Sequence, residues 1–434
     1  MRPSSAPVRI GIVAWNALPC IVPYESSSTK VYYGQTFGGM ETAMWTLAQS
    51  LAKDASNDVT CFVAAPSHRN GNTPWPTKVN NVRLKIHVDR FRQLRHEVGE
   101  CIDVEAKRLK RLSPNLLWQI PVLGITRPFR MRDPVDCQPD PQLANYPVDV
   151  WITFGVNSAS SRVVATAASK NAPSFLCIQS NAGLEERLAT KEDYRNECGE
   201  SAESRRFALL QCDQVVAQSQ WQLVRLKNLF RRDGLLARNP IKRSQWLPPY
   251  STPALPPLDQ PFDVLWIGRY DDFHKRPSLM LQAAKELPNV SIKMIANPFD
   301  ATVESRIRNE APSNVELIDR VPFEQMPSVF GAAKLFVSTG SLKHEGFPNV
   351  LLQSAASHTP IVSMSDHDEF LSRSGAGVAC EESVDRLVAA IQQQLTTPSI
   401  DWVSVDAYLD QYHSVDNITR QFTQWIHDAI AGEA

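Results

Sequence analysis

Arg269, Lys275 and Glu345 are the side chains whose types and spacing suggest chemistry. Arg269 closes the apolar run Val264-Leu265-Trp266-Ile267-Gly268 and so leaves the carboxyl end of an expected strand. Lys275 stands just before Pro277, where a helix is expected to begin. Two fixed cations at one sheet edge can hold a diphosphate. Glu345 lies in the stretch Ser338–Ser363, S-T-G-S-L-K-H-E-G-F-P-N-V-L-L-Q-S-A-A-S-H-T-P-I-V-S. This stretch reads as strand end, polar loop, helix and new strand. Its helix starts near Pro348 and stops at Thr359-Pro360, and proline suits a first helical turn. The helix entrance offers unpaired N–H donors and about half a positive charge. Taken alone, the stretch is a site for a phosphorylated or polyhydroxylated ligand. The plainer reading of Arg269 and Lys275 is a pair of surface charges.

The elements that must position these groups alternate. Val8–Trp15 is short, β-branched and nearly continuous, as a buried parallel strand should be. Gly38-Gly39 precedes a helical pattern over Thr42–Lys53, and Val59–Ala65 is the next strand. The glycines would permit positive φ and close approach to a ligand, although G-x-G-x-x-G is not present. A plain turn is the competing reading. Strands are expected again at Val82–Val88, Val148–Phe154, Ser174–Gln179 and Asp213–Gln218, with helices at Glu97–Leu112 and Ser158–Ser169 and Ser219 as a helix cap.

Prolines 248, 249, 253, 256, 257 and 261 then make a break. Beyond it the alternation restarts with strands at Asp263–Ile267, Val290–Ile295 and Val315–Leu317 and helices at Pro277–Leu287, Ala301–Ala311 and Phe323–Ala332. The tail reads as helices over Val384–Leu395 and Asp416–Ile430. The expectation is an α/β protein of two Rossmann-like doubly wound domains facing across a cleft. Residues 1–245 form the first domain, 246–261 the hinge, 262–400 the second domain, and 401–434 a helical tail packing back toward the first. Ligands of such sheets sit at the carboxyl ends of the strands.

Composition narrows the function classes. The chain has 434 residues and a formal net charge of −1, which gives no bulk attraction to nucleic acid. Eight scattered cysteines, with no C-x-x-C pair, point away from zinc and toward reduced thiols. The apolar run near the N-terminus is interrupted by Arg9 and is read as a strand, so the expected location is cytoplasmic. Lys107, Arg108, Lys110 and Arg111, followed by Arg127, Arg130 and Arg132, are either a solvated face or a basic rim for an anionic acceptor or a membrane surface.

Phe37-Gly38-Gly39-Met40-Glu41, Asn239-Pro240, Gly268-Arg269 with Lys275, and Glu345-Gly346-Phe347-Pro348 occur in one order along the chain. In this the sequence resembles the GT-B retaining glycosyltransferases of family 4, the glycosyl transferases group 1, over nearly everything except Pro66–Tyr146. The resemblance implies transfer of a sugar from a nucleotide-diphosphate sugar, UDP- or GDP-linked, to an acceptor that is a glycan, lipid or small molecule, with no cofactor and no metal. It implies that Arg269 and Lys275 grip the donor diphosphate and that Glu345 approaches the donor sugar. Gly346, Phe347, Pro348 and Asn349 would line sugar and phosphate, with Gly268 beneath them. Gly38 and Gly39 would face the diphosphate from the first domain, and Arg320-Val321 would contact the base.

Three positions depart from the pattern. Gln353 stands eight residues after Glu345, where the family has the second glutamate of a pair that binds ribose hydroxyls; the amide keeps hydrogen bonds and loses charge. Thr153–Ser158 lacks the family's histidine, and Thr359 replaces a glycine. His274 and His344 lie near the motifs and read as exposed loop histidines. Asp366-His367-Asp368 has metal-dyad spacing but reads as a loop. The alternative to an enzyme is a catalytically degenerate GT-B-like protein that binds nucleotide or sugar. A phosphorylase would need a pyridoxal-phosphate lysine, and none is identified.

Overall fold

The computed structural model describes residues 6–22, 38–66, 75–89, 92–103, 108–109, 111–126, 136–190, 192–196 and 199–432. The chain divides into two compact units. The first is Met1–Phe154 with Ser158–Phe175 and Gln211–Asp213; the second is Gly155–Asn157 with Leu176–Leu210 and Gln214–Ala434.

The strands of the first half, in chain order, are β1 (Val8–Val13), β2 (Asn57–Pro66), β3 (Lys78–Val79), β4 (Val82–Asp89), β5 (Ile102–Asp103), β6 (Arg108–Leu109), β7 (Val150–Phe154), β8 (Ser174–Cys177), β9 (Gln214–Ala217) and β10 (Leu235–Leu236). Within the first unit the sheet runs β7-β1-β2-β4-β3, parallel except for β3. β1 and β7 are nearly continuous apolar strands, and every residue of β7 is buried. The helix Gly39–Leu51 follows, its inner face built from Ala43, Met44, Leu47, Ala48 and Leu51.

The expected helix over Glu97–Leu112 is helical only as far as Cys101 among the described residues. A helix spans Arg92–Cys101, and β5 and β6 then pair antiparallel. Its charged, weakly apolar sequence gave no clear periodicity to place the boundary.

The second unit carries β11 (Phe262–Arg269), β12 (Ile292–Asn297), β13 (Val315–Ile318), β14 (Ala333–Ser338), β15 (Ile361–Ser363) and β16 (Gly377–Ala379). They form an all-parallel sheet in the order β13-β12-β11-β14-β15-β16. Successive side chains of a strand face opposite ways, and here each face has its own core. Leu265, Phe336 and Ile361 enter one apolar cluster; Val264, Trp266, Leu335, Val337 and Val362 enter the other. Strands buried on both faces read as unbroken apolar runs, which is why this half of the chain was legible.

The chain leaves β11 toward β12 and β13 on one side and returns to β14 on the other. The order therefore reverses between β11 and β14, and their carboxyl ends bound the crevice where such sheets take ligands. Gly268 and Trp266 lie two residues apart on the same face. A Cβ on Gly268 would stand 2.4 Å from the indole Cη2, so the glycine makes room for the tryptophan.

The tail has one helix more than expected. Val384–Thr396 is capped by Ser383, and Trp402–Tyr412 and Val415–Ala431 follow. Trp402–Tyr412 sends Val405, Tyr408 and Leu409 into the first of the two clusters. Its short, polar-rich sequence hid that stripe. Ile241 N donates to His413 O at 2.8 Å, and Arg243 pairs with Asp406 and Asp410, fixing the tail to residues 241–243.

Candidate active site

Two loops leave the carboxyl ends of β11 and β14 and are stitched together. The Trp266 indole N–H donates to Thr339 Oγ1 at 2.8 Å, and Thr339 Oγ1 donates to Lys275 O at 2.6 Å. Arg276 donates from Nε to Thr339 O at 2.6 Å and from Nη2 to Gly340 O at 2.8 Å, and also pairs with Glu382. Ser341 N donates to His274 O at 2.8 Å. Arg276 caps the helix Pro277–Lys285 from a left-handed conformation, φ 50°. Such strain at a non-glycine residue costs roughly 1–3 kcal/mol and persists where surrounding bonds over-determine it.

This scaffold brings Lys275 and Glu345 together. The ammonium pairs with Glu345 Oε1, with the lysine side chain 23 % and the glutamate 10 % exposed. Glu345 Oε2 is buried and has no hydrogen-bond partner among the described residues. It lies against Gly340, where an added Cβ would approach to 2.0 Å. A buried carboxylate oxygen left unsatisfied is costly, and a ligand group that donates to it would recover that cost.

Arg269 takes a different set of partners. Its Nε pairs with the buried Asp271, its Nη2 donates to His274 Nδ1 at 2.9 Å, and its guanidinium lies 4.1 Å from the Phe299 ring centroid. Asp271 also accepts from the amides of His274, at 2.5 Å, and Lys275, at 3.1 Å. Burial alone would raise the Asp271 carboxyl; the Arg269 charge and these donors hold it below the usual carboxylate range. Asp271 thus aims both cations, Arg269 through its side chain and Lys275 through its backbone. An aspartate two residues after the arginine is the signal that could have revealed it.

His274 is not an exposed loop histidine. Its ring lies 4.4 Å from that of Phe273 and 5.7 Å from that of His344. Burial, then the Arg269 charge, push its pKa down to about 4. Since arginine can only donate, His274 Nδ1 accepts and the ring proton sits on Nε2.

Past Glu345, the loop is held by residues 180–239 of the same unit. Ser180 Oγ donates to His344 O at 2.6 Å, and Asn181 Nδ2 to Leu342 O at 2.7 Å. Gly346 leaves no room for a side chain: a Cβ would lie 1.9 Å from Gln218 Nε2 and 2.8 Å from Gln179 O. Gly346 O accepts from His367 Nδ1 at 3.1 Å, and burial lowers the pKa of that ring. Phe347 is buried beside Phe370 and His413.

The helix Asn349–Ala356 begins after Pro348. Asn239 Nδ2 donates to Asn349 Oδ1 at 2.6 Å and to Phe347 O at 3.3 Å. Gln353 is buried one turn further on, on the same helical face as Asn349. Asn239 stood out in the sequence only as part of a motif; the structure makes it the anchor of this helix entrance.

The remaining expected residues lie apart. Arg320 and Val321 follow β13, with Arg320 exposed and Val321 packed on the first apolar cluster of the sheet. Gly38 and Gly39 belong to the first unit. Neither takes a positive φ; Gly38, at φ −101°, caps the helix Gly39–Leu51 while its N–H donates to Glu41 Oε2 at 2.8 Å. Phe37, and Lys107, Lys110, Arg127, Arg130 and Arg132, lie outside the described residues.

Asp366 and Asp368 turn to different partners. Asp366 accepts from the amides of Leu371 and Ser372, whereas Asp368 pairs with Arg238 at 2.9 Å and accepts from Gln220 N. Among the described residues no three His, Cys, Asp or Glu side chains gather as metal ligands, and no helix is long and apolar enough to cross a membrane.

His413, fully buried, donates from Nδ1 to Asn239 O at 2.8 Å, and burial drives its pKa down to about 3. Both His413 and His274 bind protons more weakly folded than unfolded. The stability they allow is complete above their unfolded value near 6.5 and drains away as pH falls toward about 4. The melting temperature is therefore expected to hold near neutral pH and fall through this window. His413→Asn keeps a donor near Nδ1 and removes one titration, so its melting curve against pH should be shallower; an unchanged slope would contradict the assignment.

Residues 261–397 match the model of the family Glycosyl transferases group 1. No curated protein matches the chain in sequence. Solved structures of similar fold include a sucrose-phosphate synthase from Thermosynechococcus elongatus, at 15% identity and TM-score 0.63, covering 98% of this chain and 100% of that one. The UDP-forming α,α-trehalose-phosphate synthase from Burkholderia xenovorans, in complex with glucose-6-phosphate, is 11% identical with TM-score 0.61, covering 96% and 100%. HepE from Anabaena, in complex with UDP and glucose, is 11% identical with TM-score 0.60, covering 97% and 100%. The chain has the GT-B glycosyltransferase fold, with two parallel-sheet domains. Arg269, Lys275, Glu345 and Gln353 all lie inside the segment that matches the glycosyl transferases group 1 model.

Proposed function

We propose that this protein transfers a sugar from a nucleotide-diphosphate sugar to an acceptor hydroxyl, with retention of anomeric configuration. The observation that carries the reading is the Lys275–Glu345 pair, partly buried at the β11/β14 crevice inside the matched segment. In the reaction the anomeric C–O bond breaks and its electron pair leaves on the diphosphate. The acceptor oxygen forms the new bond on the same face, and its proton goes to the departing phosphate. Positive charge develops on the sugar and negative charge on the leaving group. Lys275 and Arg269 oppose the negative charge from fixed positions, the kind of preorganised term that usually dominates catalysis. Glu345, whose Oε2 lacks a partner, takes the sugar end. Gln353 and Asn349 share the helix face on which ribose hydroxyls would be held.

The donor is a UDP- or GDP-sugar. Among the similar structures, HepE is in complex with UDP and glucose. A second reading is favoured by Gln353, an amide where the resemblance implies a carboxylate: a protein that binds nucleotide and has lost turnover.

A thermal-shift screen of uridine, guanosine and adenosine diphosphates tests the binding step. One diphosphate is expected to raise the melting temperature, since a ligand at about 100 times its Kd adds about 2.7 kcal/mol. No shift with any of them would remove the nucleotide-sugar reading.

A further inference from the structure

Asp366-His367-Asp368 has the spacing of a metal dyad, yet both aspartates hold their own loop, which follows β15. Asp366 accepts from Leu371 N at 2.8 Å and from Ser372 N at 3.1 Å. Asp368 accepts from Gln220 N at 2.7 Å and from Arg238 Nε at 3.1 Å, in an ion pair whose arginine is 11 % and aspartate 6 % exposed. The backbone here is left-handed, with φ 54° at Asp368 and φ 57° at Glu369. Aspartate tolerates that region; for glutamate it is uncommon. Strain of this kind persists where the surroundings over-determine it, and it gathers at functional sites.

The residue this loop presents is His367. Its ring is 1 % exposed, and Nδ1 donates to Gly346 O at 3.1 Å. Nε2 is buried and has no partner among the described residues. With the proton on Nδ1, the neutral ring leaves Nε2 an unpaired acceptor, a cost that an apolar side chain would not carry. The ring is also within electrostatic reach of the Lys275–Glu345 pair. Burial lowers its proton affinity most, Glu345 raises it, and Lys275 lowers it again. The ring thus joins the loop after β15 to the loop that carries Glu345.

We infer that His367 is a positioning residue for Glu345. Its bond to Gly346 O fixes the 346–347 peptide, and so the backbone that follows Glu345, with the carboxylate held against Lys275. A neutral donor suits this place. A cation would compete with Lys275 for the carboxylate, and an apolar side chain would leave the carbonyl unheld. This role rests on the proposed sugar transfer, whereas the hold on Gly346 does not.

The test compares His367→Leu and His367→Asn with the parent, for turnover of UDP- and GDP-sugars and separately for affinity toward UDP and GDP. His367→Leu is expected to lower kcat about 10–10²-fold, as a displacement of about 1 Å at a reacting group does. His367→Asn, whose amide replaces the donor, should retain most of the turnover. Both variants should bind the nucleoside diphosphate like the parent, which a merely structural loss would not allow. Nitrogen-15 NMR of the imidazoles reads the hold on Gly346 without any turnover. A neutral ring protonated on Nδ1 is expected in the parent and missing from His367→Asn, while the similar signal of His413 stays in both. Protonation of His367 on Nε2, or equal loss of turnover in the two variants, would overturn the assignment. A parent that turns over no donor overturns the reaction and this role together; an active parent matched by His367→Leu overturns this role alone.

Discussion

Lys275→Ala is expected to lower turnover of the nucleotide sugar by about 10²–10³-fold, the range seen when one preorganised donor to a developing negative charge is removed. It should also lower stability. Lys275 is the cation paired with Glu345, whose side chain is only 10 % exposed, and deleting one partner of a buried pair costs about 3–5 kcal/mol. The two effects separate in the double variant Lys275→Ala/Glu345→Gln. Neutralising the orphaned carboxylate should restore most of the melting temperature and none of the activity. Thermal unfolding and nucleoside diphosphate release on the single and double variants give the coupling directly. Parent-like turnover in Lys275→Ala would remove Lys275 from the chemistry.

Gly346→Ala should be nearly as damaging, by a steric route. The residue has no left-handed φ, so the loss is packing alone. The new methyl would lie 1.9 Å from Gln218 Nε2, a side chain that is itself buried, and 2.8 Å from the backbone oxygen of Gln179. Overpacking of this kind costs about 1–3 kcal/mol. The adjacent Glu345 would shift with the loop, and a displacement of about 1 Å at a reacting group can cost about 10²-fold in rate. Adding Gln218→Ala removes the closer clash and leaves the backbone one, so activity and melting temperature should recover only in part. Full activity and stability in Gly346→Ala would show that the loop is not held as described.

The fold of the second unit was legible because its strands are buried on both faces. Val264–Ile267, Leu335–Val337 and Ile361-Val362 are apolar without interruption, and Pro277, Pro348 and Ser383 mark helix starts. The helix Trp402–Tyr412 was not legible, since its three buried residues are scattered among polar ones. At the site, the residue types of Lys275 and Glu345 pointed to a charged ligand, but not to one another. That pairing depends on the reversal of strand order between β11 and β14, which no local pattern encodes. Arg276 and Asp271 were hidden for a related reason. Each acts by holding the second loop or aiming a cation, through bonds such as Arg276 to Thr339 O that span 63 positions of sequence. Gln218 and Asn239, which close on Gly346 and Asn349, come from before the proline-rich break and gave no sign of their destination.

The measurement that reaches the central claim most directly is release of nucleoside diphosphate from nucleotide sugars by the purified protein. At least one UDP- or GDP-sugar is expected to be consumed, with diphosphate released in step with sugar transferred or hydrolysed, and Lys275→Ala is expected to slow that release by about 10²–10³-fold. Tight binding of a nucleoside diphosphate, with no turnover of any donor offered any acceptor, would contradict it.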